Sequence, residues 1–131
     1  MSRLHDWPQR LDNYVAGLCD VPFAWGSADC CQFIAGAIHA VTGEDLRALF
    51  PAYADETDAQ ALLDEFGGLA GLLTHALGEP IHVSQMGRGD VCITSHDGAA
   101  RVCTGDYLRA FGAGGLDCVK RNRASIAWKV G

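Results

Sequence analysis

The sequence predicts an α+β fold, and three observations carry the prediction. Apolar residues recur at helical spacing through the first half of the 131-residue chain. After Gly78-Glu79-Pro80 the period changes to short β-rich runs separated by glycine turns. Asp97-Gly98 then sits between two such runs, a strong hairpin signal that makes the second half antiparallel. Helices followed by strands, without alternation, describe N-terminal helices packed on a small antiparallel sheet. The length suits a single domain over residues 1–131, with enough chain for a core that needs no metal or disulfide staple.

Each element has a local reason. Asp6 is placed to cap a first helix with Pro8 in its first turn, and Trp7, Leu11, Tyr14, Val15 and Leu18 fall on one face. A second helix starts near Asp29 or Cys30 and stops at Thr42-Gly43, with Phe33, Ile34, Ala37, Ile38 and Val41 as its apolar stripe. Thr57-Asp58-Ala59-Gln60 has the form of a capping box for a third helix ending at Phe66-Gly67-Gly68. Leu69 to Leu77 is a short fourth helix. Ile81-His82-Val83 reads as a short strand, Gly87-Arg88-Gly89-Asp90 as a turn and Val91 to Ser95 as a strand. Ala100 to Thr104 forms the return strand, Gly112 to Gly115 a turn between strands, and Ile126 to Val130 a closing strand.

Composition narrows the function classes. A net charge of −6 with no Lys/Arg-rich run speaks against nucleic acid or an anionic membrane as partner. The longest apolar run, Phe33 to Val41, is interrupted by His39 and is too short for membrane insertion. The N-terminus lacks a hydrophobic signal core, so synthesis in the cytoplasm is expected. Six cysteines stand at 19, 30, 31, 92, 103 and 118, without the Cys-x-x-Cys spacing of structural zinc. All six are expected reduced, with a Cys92–Cys103 disulfide as the exception left open, and with no metal and no cofactor. Cys19 and Cys118 read as small buried hydrophobes.

The chemistry concentrates at Phe23-Ala24-Trp25-Gly26-Ser27-Ala28-Asp29-Cys30-Cys31. An aromatic-glycine turn delivers Cys30 to the first turn of a helix, where backbone N–H groups and the dipole favour the nucleophilic thiolate. Cys30 is therefore the candidate nucleophile. Taking Asp97-Gly98 as a two-residue loop pairs Cys92 with Cys103, Thr94 with Arg101 and His96 with Ala99. His96 and Ala99 would then have Cβ atoms about 4.5–5.5 Å apart on one face.

Phe23-x-Trp25-Gly26-x-x-Asp29-Cys30, a helix ending at Thr42-Gly43, and Gly89-Asp90-Val91 opening a hairpin that returns to Gly105 resemble the NlpC-type cysteine peptidases. Those are papain-like enzymes that cut cell-wall peptides. With Cys31, Phe33 and Ala127-Trp128-Lys129-Val130 added, nearly the whole chain is similar to a small family of uncharacterised proteins from phage tail gene modules. The resemblance implies a papain-like core with Cys30 as nucleophile. It also implies a histidine six residues before the glycine matching Gly105, and a third polar residue near Ala110-Phe111. Ala99 occupies the first position and nothing suitable occupies the second, so His96 is a base only if it reaches across the hairpin.

Three functions from different classes follow. The leading one is a structural component of a phage tail tip or its assembly, a degenerate NlpC-like domain whose partners are other tail tip and hub proteins and whose location is the virion. The second is an active peptidoglycan-cleaving peptidase or amidase using Cys30 with His96. The third is a metal or cluster module ligated by Cys30, Cys31, Cys92 and Cys103. On the first reading Cys30 still alkylates faster than the other cysteines, because of its helix position.

Overall fold

The computed structural model describes residues 2–18, 20–24, 29–49, 53–112 and 114–131. Among these, four α-helices precede a five-stranded antiparallel sheet, so the α+β architecture expected from the sequence is the one formed. α1 spans Trp7–Ala16, α2 Cys30–Thr42, α3 Glu56–Glu65 and α4 Leu69–Leu77, with a 3₁₀ turn at Leu46–Leu49 between α2 and α3. The strands are β1 (Val91–Thr94), β2 (Ala100–Cys103), β3 (Tyr107–Gly112), β4 (Gly115–Lys120) and β5 (Ala124–Trp128). Their order in the sheet is β4-β3-β2-β1-β5.

α2 is the helix that organises the rest. Asp29 caps it, accepting from Gln32 N at 2.9 Å, and Gly43 ends it at φ +80°, a backbone conformation that favours glycine. Every residue from Phe33 to Ile38 is buried, because α1 covers one side and β2 and β3 the other. The carbonyls left over at its C-terminus find partners outside the helix. Val41 O accepts from Leu4 N at 2.8 Å, and Ala40 O accepts from Arg10 Nε at 2.7 Å.

The sheet separates two apolar clusters. Val91, Ala100, Val102, Phe111 and Trp128 pack with Leu11 and the α2 stripe on the helix side. Met86, Cys92, Cys103, Leu108 and Ala127 form a second cluster on the opposite face. The turn Arg121–Arg123 alone carries the chain from edge strand β4 to edge strand β5. Four Cα steps span at most about 14 Å, whereas five flat strands would set the edges about 19 Å apart. The sheet therefore curls around the second cluster, and Arg121 crosses its open end, donating through Nη2 to Met86 O.

Several sequence expectations change. The β1–β2 register is Val91 with Val102, Cys92 with Arg101 and Ile93 with Ala100, not the pairing of Cys92 with Cys103. A two-residue turn on Asp97-Gly98 needs positive φ at both positions. Only Gly98 has it (+67°), and Asp97 instead closes a four-residue loop by accepting from Thr94 Oγ1 and Ala99 N. Asp55, rather than Thr57, caps α3 by accepting from Asp58 N. Ile81 makes a single bridge to Ala127, and Val83–Gln85 is a 3₁₀ turn because the His82 ring accepts from Ser84 N. The closing strand starts earlier, at Ala124, and Val130 N is taken by Asp90 Oδ1 instead of a strand partner. Cys118 is exposed on edge strand β4, and Cys19 lies outside the described residues.

Candidate functional site at the start of α2

Asp29 is the centre of the site, 1% exposed at the positive end of the α2 dipole. Its Oδ1 accepts from Gln32 N at 2.9 Å and from Tyr53 Oη at 2.7 Å. The loop before α3 is thereby tied to the start of α2. Burial raises the Tyr53 phenol well above its ordinary range, and its bond to Asp29 adds to the rise. Tyr53 therefore acts as a fixed O–H donor.

A cavity of about 130 Å³ opens beside Asp29, lined by Tyr14, Leu18, Phe33, Arg47 and Phe111 among others. Tyr14 donates to Phe33 O at 3.1 Å and stacks on the Phe33 ring at 5.9 Å. Burial pushes its phenol up to about 12, against a smaller opposing pull from Arg47. The walls are largely aromatic and apolar, and the polar side chains that line it are those of Asp29, Gln32, Tyr14 and Arg47.

Cys30 is the first residue of α2, at the position expected for a helix-activated thiol, but its side chain lies outside the described atoms, as do Trp25 and Gly26. Cys31 is half-buried one residue on. Ala99 is half-buried at the end of the β1–β2 loop, while Ala110 and Phe111 on β3 are buried at 6% and 1%. Apolar side chains therefore stand where the resemblance implies a third polar residue.

His96 does not face Ala99. Thr94 takes that place, its N–H donating to Ala99 O at 3.1 Å, and the histidine rides on the exposed loop with Nε2 3.4 Å from Asp97 Oδ2. The register that would have carried its imidazole across the hairpin is not formed. His39 is half-buried on α2, and His5, His75 and His82 are exposed. Cys92 and Cys103 lie on the face of the sheet away from α2, so they do not join Cys31 in a ligand set. Among the described residues no group of three His, Cys, Asp or Glu side chains is placed to hold a metal ion. No described helix is long and apolar enough to cross a membrane.

Gly89-Asp90, the other motif of the resemblance, has a structural job. Asp90 is 3% exposed and gathers Arg3 Nη2 at 2.7 Å, Val130 N at 2.9 Å and Gly87 N at 2.8 Å. Arg3 also reaches Val130 O and Arg88 O, and lies 4.4 Å from the centre of the Trp7 ring. Sequence reasoning missed Tyr53 as Asp29's partner and Arg47 as a lining residue, since neither belongs to a motif with recognisable spacing.

No curated protein matches the chain significantly. Residues 2–130 match the domain of unknown function DUF6950, and the chain belongs to that family.

Proposed function

We propose that this protein is a non-catalytic papain-like domain of the NlpC type, acting as a structural component of a phage tail tip or its assembly. The observation that carries the reading is the filling of the proton-shuttle positions: Ala99 stands where the peptidases have histidine, and buried Ala110 and Phe111 stand where they have the orienting residue. Acyl transfer needs a base within about 2.6–3.2 Å of the sulfur, and an alanine supplies none. Asp29 further weakens the nucleophile, because its carboxyl group already serves the helix N-terminus that would stabilise a thiolate. The role then lies in the protein's surface, with tail tip and hub proteins as partners and the virion as its location.

One observation favours the active alternative: α2 starts at Cys30, as a helix-activated cysteine requires. An experiment separates the two. The full chain is incubated with purified peptidoglycan beside Cys30→Ala and His96→Ala variants, and purified virions are analysed for the protein by mass spectrometry. No released muropeptide together with the protein in the particle supports the structural role. Cleavage abolished by both substitutions would replace it with a peptidase using a displaced base.

A further inference from the structure

A cleft of about 410 Å³ lies between α1, the second half of α2 and the 3₁₀ turn at Leu46–Leu49. Arg10, Asn13 and Tyr14 line it from α1, His39 from α2 and Arg47 from the turn, and Gly36 and Ala40 leave the space between them. No carboxylate lines it, in a chain where 16 acidic residues outnumber 10 basic ones. Its volume is that of a small-ligand pocket.

Arg10 is pre-oriented. Its Nε donates to Ala40 O, one of the carbonyls that α2 leaves without an intrahelical donor. That bond fixes the guanidinium plane and leaves the edge formed by its two Nη groups without a partner among the described residues. Arg47 is held in turn by Asp45, through Nε at 2.8 Å and Nη2 at 3.2 Å, so Nη1 stays available. Tyr14 seats directly on Gly36, and its ring with Ala40 offers apolar surface to a carbon chain.

We infer that this cleft binds a carboxylate group, carried by an acidic peptide segment or a small organic acid. The free Arg10 edge is a planar two-donor fork, which matches a planar carboxylate. Phosphate is the poorer match, because phosphate sites draw on backbone N–H groups at helix starts. This cleft lies toward the carbonyl end of α2, where the dipole disfavours a doubly charged phosphate group more than a singly charged carboxylate group. The cleft lies further along α2 than the cavity beside Asp29, with Tyr14 and Arg47 lining both, and its binding does not depend on whether Cys30 is catalytic.

The test is a titration of ¹⁵N-labelled full-length protein with glutarate, with a Glu-rich peptide, and with inorganic phosphate. Saturable amide shifts at Asn13, Gly36, His39 and Arg47 are expected with the carboxylates. Arg10→Gln is expected to weaken binding about tenfold or more, and Arg47→Gln by less, since Asp45 already shares that guanidinium. Tighter binding of the peptide than of glutarate identifies a protein segment as the natural source; equal binding identifies a small acid. If Arg10→Gln lowers the melting temperature enough to unfold the chain, Arg47→Gln and His39→Gln carry the comparison. Absence of saturable shifts, shifts outside the cleft, tighter binding of phosphate, or affinity unchanged in the folded variants would overturn the inference.

Discussion

Arg101 shows how one side chain can decide a register. It is 2% exposed and donates from Nε to Thr94 Oγ1 at 3.2 Å, from Nη2 to Asp97 Oδ2 at 2.9 Å and from Nη1 to Asp117 Oδ1 at 2.5 Å. A buried guanidinium demands partners, and two of these three come within reach because Thr94 and Asp97 fold back in a four-residue loop. Burial alone would raise the Asp97 carboxyl, but hydrogen bonds from Thr94, Ala99 and Arg101, with the Arg101 charge, hold it down at about 2. A carboxyl depressed from about 3.9 in the unfolded chain stabilises the fold above about pH 4 and loses that contribution as the pH falls toward 2. Asp97 is 38% exposed, so solvent screening reduces the effect to about 1 kcal/mol. Denaturant midpoints followed from about pH 5 to about pH 2.5 should fall more steeply in the native protein than in Asp97→Asn. Parallel profiles would contradict this. Gly36 is the second sensitive residue, because an added Cβ would lie 2.2 Å from Tyr14 Oη, in a ring already stacked on Phe33. Gly36→Ala should cost about 1–3 kcal/mol in urea unfolding, as overpacking does.

Elements far apart in sequence are joined by Asp90. Through it the N-terminal segment, the turn before β1 and the end of the chain after β5 share one buried carboxyl group. Gly89 permits this arrangement at φ +92°, with Arg3 and Trp7 packed where a Cβ would point. Removing one member of a buried, hydrogen-bonded pair leaves the other charge unpaired, which is the costly kind of change. Asp90→Ala should lose about 3 kcal/mol of stability. Faster hydrogen exchange at Val130 and Gly87 than across α3 should accompany the loss, and uniform acceleration would show that the clamp has no local effect. The same reasoning gives Gly89-Asp90 a structural reason that requires no catalytic role.

At the scale of the whole molecule, two apolar clusters on opposite faces of one curled sheet must form together. The second cluster buries Cys92 and Cys103 completely, and burial, aided by Cys103, pushes the Cys92 thiol up to about 12. Cys118 stands exposed on the edge strand β4. In native protein a thiol reagent should therefore modify Cys118 readily, while Cys92 reacts only as the sheet opens. Cys92 labelling should track global unfolding across a urea series. Labelling of Cys92 in the native baseline would mean that the second cluster opens independently of the first.

The sequence alone determined the elements whose signals are local. α2 runs from Cys30 to Thr42 because Asp29 can cap it and Gly43 can adopt the left-handed backbone that ends it. α4 occupies Leu69 to Leu77 as its apolar run foretold. Such signals act within about one helical turn, so they survive without knowledge of the rest of the chain. The β3–β4 hairpin was less legible: Leu108 faces one cluster and Phe111 the other, while Tyr107 on the Phe111 side is exposed, so apolar side chains stand on both faces of β3. The site divides in the same way. The sequence placed Cys30 at a helix start, whereas tertiary structure brought Tyr53 to Asp29 from a separate loop and kept His96 off the hairpin face. Arg101 reached that outcome through Asp117 on β4, a strand that joins the sheet only after β3 has turned back. Caps and glycines act on their own neighbours, but a buried charge must be satisfied by whatever the fold brings to it, and that partner is set by topology rather than by sequence distance.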